Sequence, residues 1–416
     1  MEEDVFPSTY NIYFSDGKGE NYIFNTWHGN LIHIESDYLS AIKSENIDFL
    51  PKSMQEQLLK AGILTKFTNE FSEVLKENEN HKREYESNRF SICILPTLGC
   101  NAHCYYCFEK GALCQEGMDV ETEQALFDYI RKNSIKKKVH ITWFGGEPLL
   151  KGDFIEHFSL RLSEAGIPFH STMITNGFLI DKYIEEMANH WKLKQVQITL
   201  DGLYDRYDEI KKIGNGAFNK VISNIHLLLN HGIHVAIRIN YNSSNLGDYE
   251  NLVDFVHKEF GTKVILYFHD IVGSNFYTPD EVDDKPILKI YKKLFDSGYL
   301  RNLRDLRITR KFSPCSVNSA SFLNVHPNGW ANKCEHFVGK SSVFDVGNIS
   351  SDNFQSDLMY GVIHERCSHC KCFPICGGGC QADHMIRPYA GCFRGRSCIE
   401  EILSFYVDEV LPKHKG

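Results

Sequence analysis

Residues 100–107 read Cys-Asn-Ala-His-Cys-Tyr-Tyr-Cys, which sets the thiols of Cys100, Cys104 and Cys107 in C-x3-C-x2-C spacing. Three soft thiolates in one loop suit three irons of a 4Fe–4S cube and leave the fourth iron without a protein ligand. Such an iron can take a small molecule through nitrogen and oxygen. Zinc is the alternative occupant: it asks for a closed set of four ligands, and His103 could be offered as the last. A second candidate stretch is Gly145-Gly146-Glu147-Pro148. Its two glycines let the backbone approach a ligand closely, and Glu147 or the local carbonyls can accept hydrogen bonds from an ammonium group. The third is a run of cysteines near the end. Cys315 is followed by Cys334, then by Cys367, Cys370, Cys376 and Cys380 in C-x2-C-x5-C-x3-C spacing, and then by Cys398. Cys367, Cys370 and Cys372 stand too close together to read as disulfide partners, so these cysteines point to metal. Zinc knuckles are the alternative for Cys367–Cys380.

Together these motifs carry a resemblance. CNAHCYYCFE resembles the signature loop of the radical S-adenosylmethionine (SAM) enzymes, and the resemblance extends over residues 91–400. It implies that the open iron chelates the methionine part of SAM, and that an electron from the cluster splits SAM into methionine and a 5′-deoxyadenosyl radical. It implies further that Gly145–Pro148 bind the SAM amino group and that Tyr106 packs near the adenine. Thr199-Leu200-Asp201-Gly202 is similar to the family's Ser-Leu-Asp-Gly segment, with Thr199 close to SAM. Asp208 fits the acidic position that follows, and Lys211 stands where relatives carry an arginine for the SAM carboxylate. Lysine keeps the charge and loses the bidentate fork, which leaves Arg238 as an alternative carboxylate or ribose contact.

The C-terminal cysteines resemble the SPASM domain, which holds two auxiliary 4Fe–4S clusters, for three in all. By that pattern Cys367, Cys370, Cys376 and Cys398 hold the outer cluster, and Cys315, Cys334 and Cys380 the inner one. Sulfatase-maturating relatives complete the inner set with a cysteine six residues after the first. Here that position is Ser321. An alkoxide is a poor substitute for a thiolate at iron, so a substrate cysteine suits the open corner; Cys372, Cys392 or a water are the other candidates. Glu335 follows Cys334, where those relatives place a proton-removing aspartate.

The elements that must position these residues follow from periodicity. Residues 90–268 alternate in the βα manner: strands at Ser91–Pro96, Val139–Phe144, His170–Ile174, Gln195–Leu200, His234–Asn240 and Lys263–Phe268, with helices such as Val120–Asn133, Asp153–Ala165, Asp181–His190, Phe218–His231 and Tyr249–Glu259 between them. Six such units predict a parallel sheet, and its motifs fall at the C-terminal ends of strands, where parallel sheets carry their sites. The fold class is α/β; the resemblance implies a partial (β/α)6 barrel. Ahead of it, residues 1–67 read as a small α+β module with a hairpin at Asp16–Gly19. It is either a peptide-recognition domain or a cap. Residues 68–89 read as a charged helical linker. A bridging region spans 269–312, and the Cys-rich iron–sulfur domain spans 313–416.

Composition narrows the function. The chain has 416 residues, 42% hydrophobic and 24% charged, as expected of a soluble globular protein. A net charge of −9 argues against nucleic acid as partner. Neither a signal peptide nor a membrane span of about 18 apolar residues is read, so the expected location is cytoplasmic. The resemblance implies maturation of a ribosomally made precursor peptide bearing a leader, with thioether crosslinking as the first reading and an external flavodoxin- or ferredoxin-type electron donor. Formylglycine formation in a sulfatase, and other crosslinking or epimerisation, are the alternatives. A non-catalytic iron–sulfur or zinc protein is a reading from another class.

Overall fold

The computed structural model describes residues 4–110, 112, 116–241, 246–271, 285–313, 315–339, 345–351, 363–382, 392 and 395–413. The chain forms two compact units. One comprises Met1–Arg83, Pro279–Cys315 and Val362–Gly416; the other comprises Glu84–Thr278 and Ser316–Gly361.

In the first unit, strands β1 (Phe6–Pro7), β2 (Asn11–Ser15), β3 (Asn21–Asn25) and β4 (Leu31–Ile34) are followed by helices α1 (Ser36–Lys43) and α2 (Lys52–Lys60) and then by strand β5 (Leu64–Thr65). Strands β2, β3 and β4 form an antiparallel sheet and β1 pairs with β5. The hairpin turn is closed by Asp16, whose carboxylate accepts the N–H groups of Lys18 and Glu20, both at 2.9 Å. Ile23, Ile42, Leu50 and Ile63 form the core of this part. The charged stretch after it is helix α3 (Glu70–Asn88), and its start is anchored. Glu70 is buried, accepting from the Ser8 hydroxyl at 2.8 Å and the Thr9 N–H at 2.6 Å. Val74 is wholly buried with Tyr10, Trp27 and Phe373.

The second unit is built on a nine-stranded sheet. Six strands lie side by side in chain order and parallel: β6 (Arg89–Ile94), β7 (Lys138–Trp143), β8 (Phe169–Thr175), β9 (Leu193–Thr199), β10 (His234–Tyr241) and β11 (Ile265–Asp270). Beyond β6 the sheet continues through β12 (Phe322–Val325), parallel to it, and then β13 (Trp330–Asn332) and β14 (Asp345–Asn348), which are antiparallel. Helices α4 (Val120–Asn133), α5 (Gly152–Glu164), α6 (Ile184–Asn189), α7 (Tyr204–Lys211), α8 (Ala217–Asn230) and α9 (Tyr249–Phe260) connect the parallel strands. Helix α4 begins at Val120 because Asp119 caps it, its carboxylate accepting the Thr122 N–H at 2.7 Å.

Several boundaries differ from the pattern read in the sequence, those of β6 and β9 among them; two have a local cause. The helix expected over Asp181–His190 is a tight turn, Ile180–Lys182, followed by α6, because Tyr183 leaves helical geometry at φ −131°. The last strand starts at Ile265 because Gly261, at φ 57°, opens a turn over Gly261–Lys263.

The two faces of the sheet differ. On β7, Val139, Ile141 and Trp143 are buried, while His140 and Thr142 are half-buried; β8 and β9 repeat this with His170 and Thr172 and with Gln195, Gln197 and Thr199. A parallel sheet covered on both faces reads as continuous apolar runs. This alternation instead leaves one polar, partly open face.

Candidate active site

The cysteine loop follows β6 and rests against the end of β7. Gly145 has φ 116°, and a Cβ there would lie 2.3 Å from the Thr97 carbonyl oxygen. A Cβ on Gly146 would lie 2.2 Å from that of Gly99. Only glycine permits this approach, and the approach lets the Glu147 N–H donate to the Gly99 carbonyl at 2.8 Å. Cys100, Cys104 and Cys107 are all partly buried. The Ala102 N–H donates to the Cys100 sulfur at 3.4 Å. Burial pushes the Cys100 thiol up to about 12, against that hydrogen bond, and burial raises Cys107 as well. Thiols of this kind ionise when a cation takes up their charge, as a coordinated metal does.

Glu147 is wholly buried, and its carboxylate is engaged within the protein. Oε1 accepts from the Thr175 hydroxyl at 2.7 Å and the Leu149 N–H at 3.1 Å; Oε2 accepts the Asn176 N–H at 2.8 Å. Burial raises its pKa while these donors work against the rise. Glu147 therefore ties the ends of β7 and β8 together. The same tie reaches the cysteine loop, because the Asn176 amide donates to the Asn101 side-chain oxygen at 2.7 Å.

A second buried knot joins Tyr106, Asp201 and Lys211. Lys211 Nζ lies 2.9 Å from Asp201 Oδ2 and donates to the Tyr106 hydroxyl at 2.7 Å, and that hydroxyl donates to Asp201. Lys211 is 3% exposed and Asp201 5%. The other Asp201 oxygen accepts the Asn240 N–H of β10 at 3.1 Å. Burial works to lower the Lys211 ammonium's pKa, but Asp201, Tyr106 and Cys104 outweigh it and hold it well above the usual range. Lys211 thus has an internal counter-ion at the position where the resemblance places a SAM-binding arginine. Asp208 accepts the N–H groups of Gly216 at 2.7 Å and Phe218 at 3.0 Å, and so caps the start of α8.

Thr199 and Arg238 are register partners on β9 and β10, both half-buried on the polar face. The Arg238 Nε–H donates to the Asn240 side-chain oxygen at 2.8 Å. A cavity of about 200 Å3 lies where the end of β10 meets α7 and α9, lined by Asp201, Arg206, Ile239, Tyr241, Tyr249 and Leu252; neither Thr199 nor Arg238 is among its lining residues. Motifs distant in sequence therefore gather at one end of the parallel strands.

Glu335 opens a tight turn, Glu335–Phe337, directly after the buried Cys334. The next side chain, His336, packs on Phe108 at 4.3 Å between ring centres with the rings tilted by 34°, and Phe108 stacks on Phe144 at the end of β7. Sequence reasoning passed over Glu109. Its side chain is 4% exposed, and its Oε1 has no hydrogen-bond partner among the described residues. Burial, reinforced by the Glu335 charge, pushes its carboxyl up to about 8. The available signal was its place directly after Cys107-Phe108.

The remaining cysteines divide. Cys334 and Ser321 belong to the second unit, and the Ser321 hydroxyl pairs with that of Ser319 at 2.9 Å. Cys315, Cys367, Cys370, Cys376, Cys380 and Cys398 belong to the first. There Cys367, Cys370, Cys372, Cys376 and Cys392 line one cavity with Arg366 and Arg396. A hydrogen bond from Cys372 pulls the Cys370 thiol down to about 6, while Cys372 itself is pushed far up. Gly377, Gly378 and Gly379 all have positive φ, which lets the chain reverse between Cys376 and Cys380. Cys398 is buried where the helix Ile399–Phe405 starts. Cys114 lies outside the described residues. Among the described residues no three His, Cys, Asp or Glu side chains converge as one metal ion requires. The ligands of a cube stand apart at its corners, so a thiol-lined cavity is the relevant fit.

The model of the Radical SAM superfamily matches residues 94–256, a span that contains the cysteine loop, Gly145–Pro148, Thr199, Lys211 and Arg238. A cysteine-type anaerobic sulfatase-maturating enzyme of Clostridium perfringens is 23% identical over 336 residues, covering 70% of this chain and 88% of that protein. The radical SAM cyclopropyl synthase TigE of Paramaledivibacter caminithermalis is 22% identical over 420 residues, 86% of this chain and 85% of that protein. The crystal structure of Streptococcus suis SuiB bound to precursor peptide SuiA covers 94% of this chain and 99% of that chain at a TM-score of 0.53 and 16% identity, a likeness of fold. No described helix is long and apolar enough to cross a membrane. Over residues 94–256 the chain carries the domain of a radical SAM enzyme.

Proposed function

We propose that the chain is a maturase that modifies a ribosomally made precursor peptide, using SAM and three 4Fe–4S clusters. The observation that carries the reading is the C-x3-C-x2-C loop seated on the Gly145-Gly146 strand end, in a chain that also gathers a separate cavity of cysteines. Cys100, Cys104 and Cys107 would hold the first cluster, which with SAM supplies the 5′-deoxyadenosyl radical. The carbonyls near Gly145–Pro148, with Thr199 and Arg238, would face SAM. Tyr106 would position the loop through Asp201 and Lys211. Cys315, Cys334 and Cys380 are the proposed inner auxiliary set, and Glu335 the proposed proton acceptor. The alignments with a sulfatase-maturating enzyme and a cyclopropyl synthase, and the fold shared with SuiB, support a peptide substrate.

Within that class we favour a thioether product. The inner set has three cysteines, and Ser321 is paired with Ser319; a substrate thiolate has the softness that iron–sulfur sites take. Formylglycine formation is the second reading, favoured by the alignment over 88% of the C. perfringens enzyme. A flavodoxin- or ferredoxin-type protein is the proposed electron donor, the cytoplasm the proposed location, and residues 1–67 the proposed leader-binding module.

The test is anaerobic reconstitution, expected to give about twelve iron atoms and twelve sulfides per chain and 5′-deoxyadenosine when SAM and a reductant are added. A precursor peptide should then lose two hydrogens per event and keep its cysteine blocked to alkylation. Zinc in place of iron, with no SAM cleavage, would sink the enzyme reading. Formylglycine in the product would replace the thioether.

A further inference from the structure

We propose that Cys392, rather than Cys398, is the fourth ligand of the outer auxiliary cluster, joining Cys367, Cys370 and Cys376. The inference rests on the reading that these cysteines hold such a cluster. The resemblance assigns Cys398 by its spacing from Cys380, and spacing says nothing of where a sulfur points. In the structure Cys392 lines the same cavity as the other three. Cys398 is instead a buried residue at the start of the helix Ile399–Phe405, and it is not among the described residues that line this cavity.

Two guanidinium groups reinforce the assignment. Arg366 Nη2 donates to the Cys392 sulfur at 3.4 Å, and Arg396 Nη1 lies 3.9 Å from the same atom. A cube held by four thiolates is net negative, and hydrogen bonds to its sulfurs tune its potential. Cationic donors on a ligand sulfur are therefore what such a centre calls for, since buried charge needs a partner. Cys372 also lines the cavity, but it stands two residues from Cys370 and is 4% exposed, whereas both guanidinium groups lie against the Cys392 sulfur. Cys392 is therefore the thiol assigned to close the set.

The experiment uses the full chain, reconstituted anaerobically. Iron and sulfide are measured for the wild type, Cys392→Ala and Cys398→Ala. Alkylation of the wild-type holoprotein, read by mass spectrometry, reports Cys392 directly and does not depend on how a variant folds. The expected result is a loss of about four iron atoms in Cys392→Ala, no such loss in Cys398→Ala, and a Cys392 protected from alkylation until a chelator strips the iron. A wild-type iron content in Cys392→Ala, with rapid alkylation of Cys392 in the holoprotein and iron loss in Cys398→Ala, overturns the assignment and restores the family position. A wild type that binds only about four iron atoms overturns the auxiliary-cluster reading itself, and this inference with it.

Discussion

At Lys211 the charge that sequence position suggests for a ligand is already paired inside the protein, 2.9 Å from Asp201. Removing one partner of a buried ion pair leaves the other uncompensated, a loss of roughly 3–5 kcal/mol. Lys211→Met is therefore expected to lower the urea midpoint clearly, and Asp201→Asn in the same chain to recover part of it. If Lys211→Met leaves stability unchanged and weakens only SAM binding, the pairing described here is wrong. His326 gives a second test at this scale. It is 7% exposed, with its ring 2.9 Å from the Asn332 amide, and burial pushes its pKa down to about 4. In the unfolded chain it titrates near the ordinary histidine value of about 6.5. A depressed folded pKa contributes stability that is present above the unfolded pKa and is lost as pH falls toward the folded one. Between pH 7 and 5 this linkage amounts to about 2 kcal/mol. Nuclear magnetic resonance should show a neutral His326 ring down to about pH 5, and His326→Gln should flatten the stability profile over that interval. A ring titrating near its ordinary value would remove the argument.

At the scale of elements, the site depends on a strand end meeting a loop backbone. Gly146→Ala places a methyl 2.2 Å from the Gly99 carbonyl oxygen. Neither backbone can retreat easily, because the Glu147 N–H is bonded to that same carbonyl. Overpacking of this kind costs about 1–3 kcal/mol, and here the strain falls on the loop rather than on the sheet core. The variant is expected to keep its far-ultraviolet dichroism, lose the iron of the first cluster and stop making 5′-deoxyadenosine. Cys104→Ala should show the same loss with the auxiliary iron retained. Full SAM cleavage in either variant would contradict the site.

At the scale of the whole molecule, the N-terminal strands and the cysteines from Cys367 to Cys398 belong to one compact unit. Tyr10 and Trp27 are buried with Phe373, and Cys367 and Cys370 pack against that cluster. The Thr26 hydroxyl also donates to the Lys371 carbonyl at 2.5 Å. Deleting residues 1–67 strips these aromatic rings from beside the thiols. The truncated chain is expected to lose about four iron atoms and its turnover of leader-bearing peptide, while still cleaving SAM in the absence of peptide. Iron analysis beside a 5′-deoxyadenosine assay decides this, and a full complement of iron after truncation would show that the module does not support the cluster.

Much of the fold could be read along the chain, because it is written in local patterns. Helix α4 begins and ends where the Asp119 cap and the apolar spacing place it, and the six parallel strands follow one another in the sheet as in the sequence. Cysteine grouping was legible for the same reason, since thiols in one loop are neighbours in sequence. The boundary at Tyr183 was not legible, because a single residue's departure from helical geometry leaves no mark on periodicity. Side-chain partners are a different matter. Tyr106 and Asp201 are 95 residues apart and Lys211 and Tyr106 are 105 apart, and only the packing of β9, β10 and the loop brings them together. The same holds for Glu147, which its motif offers beside the local carbonyls as an acceptor and whose burial and three internal donors no spacing reveals. Spacing therefore determined which residues could do chemistry, and tertiary structure decided which of them are already occupied, because burial and hydrogen-bond partners arise between elements rather than within them.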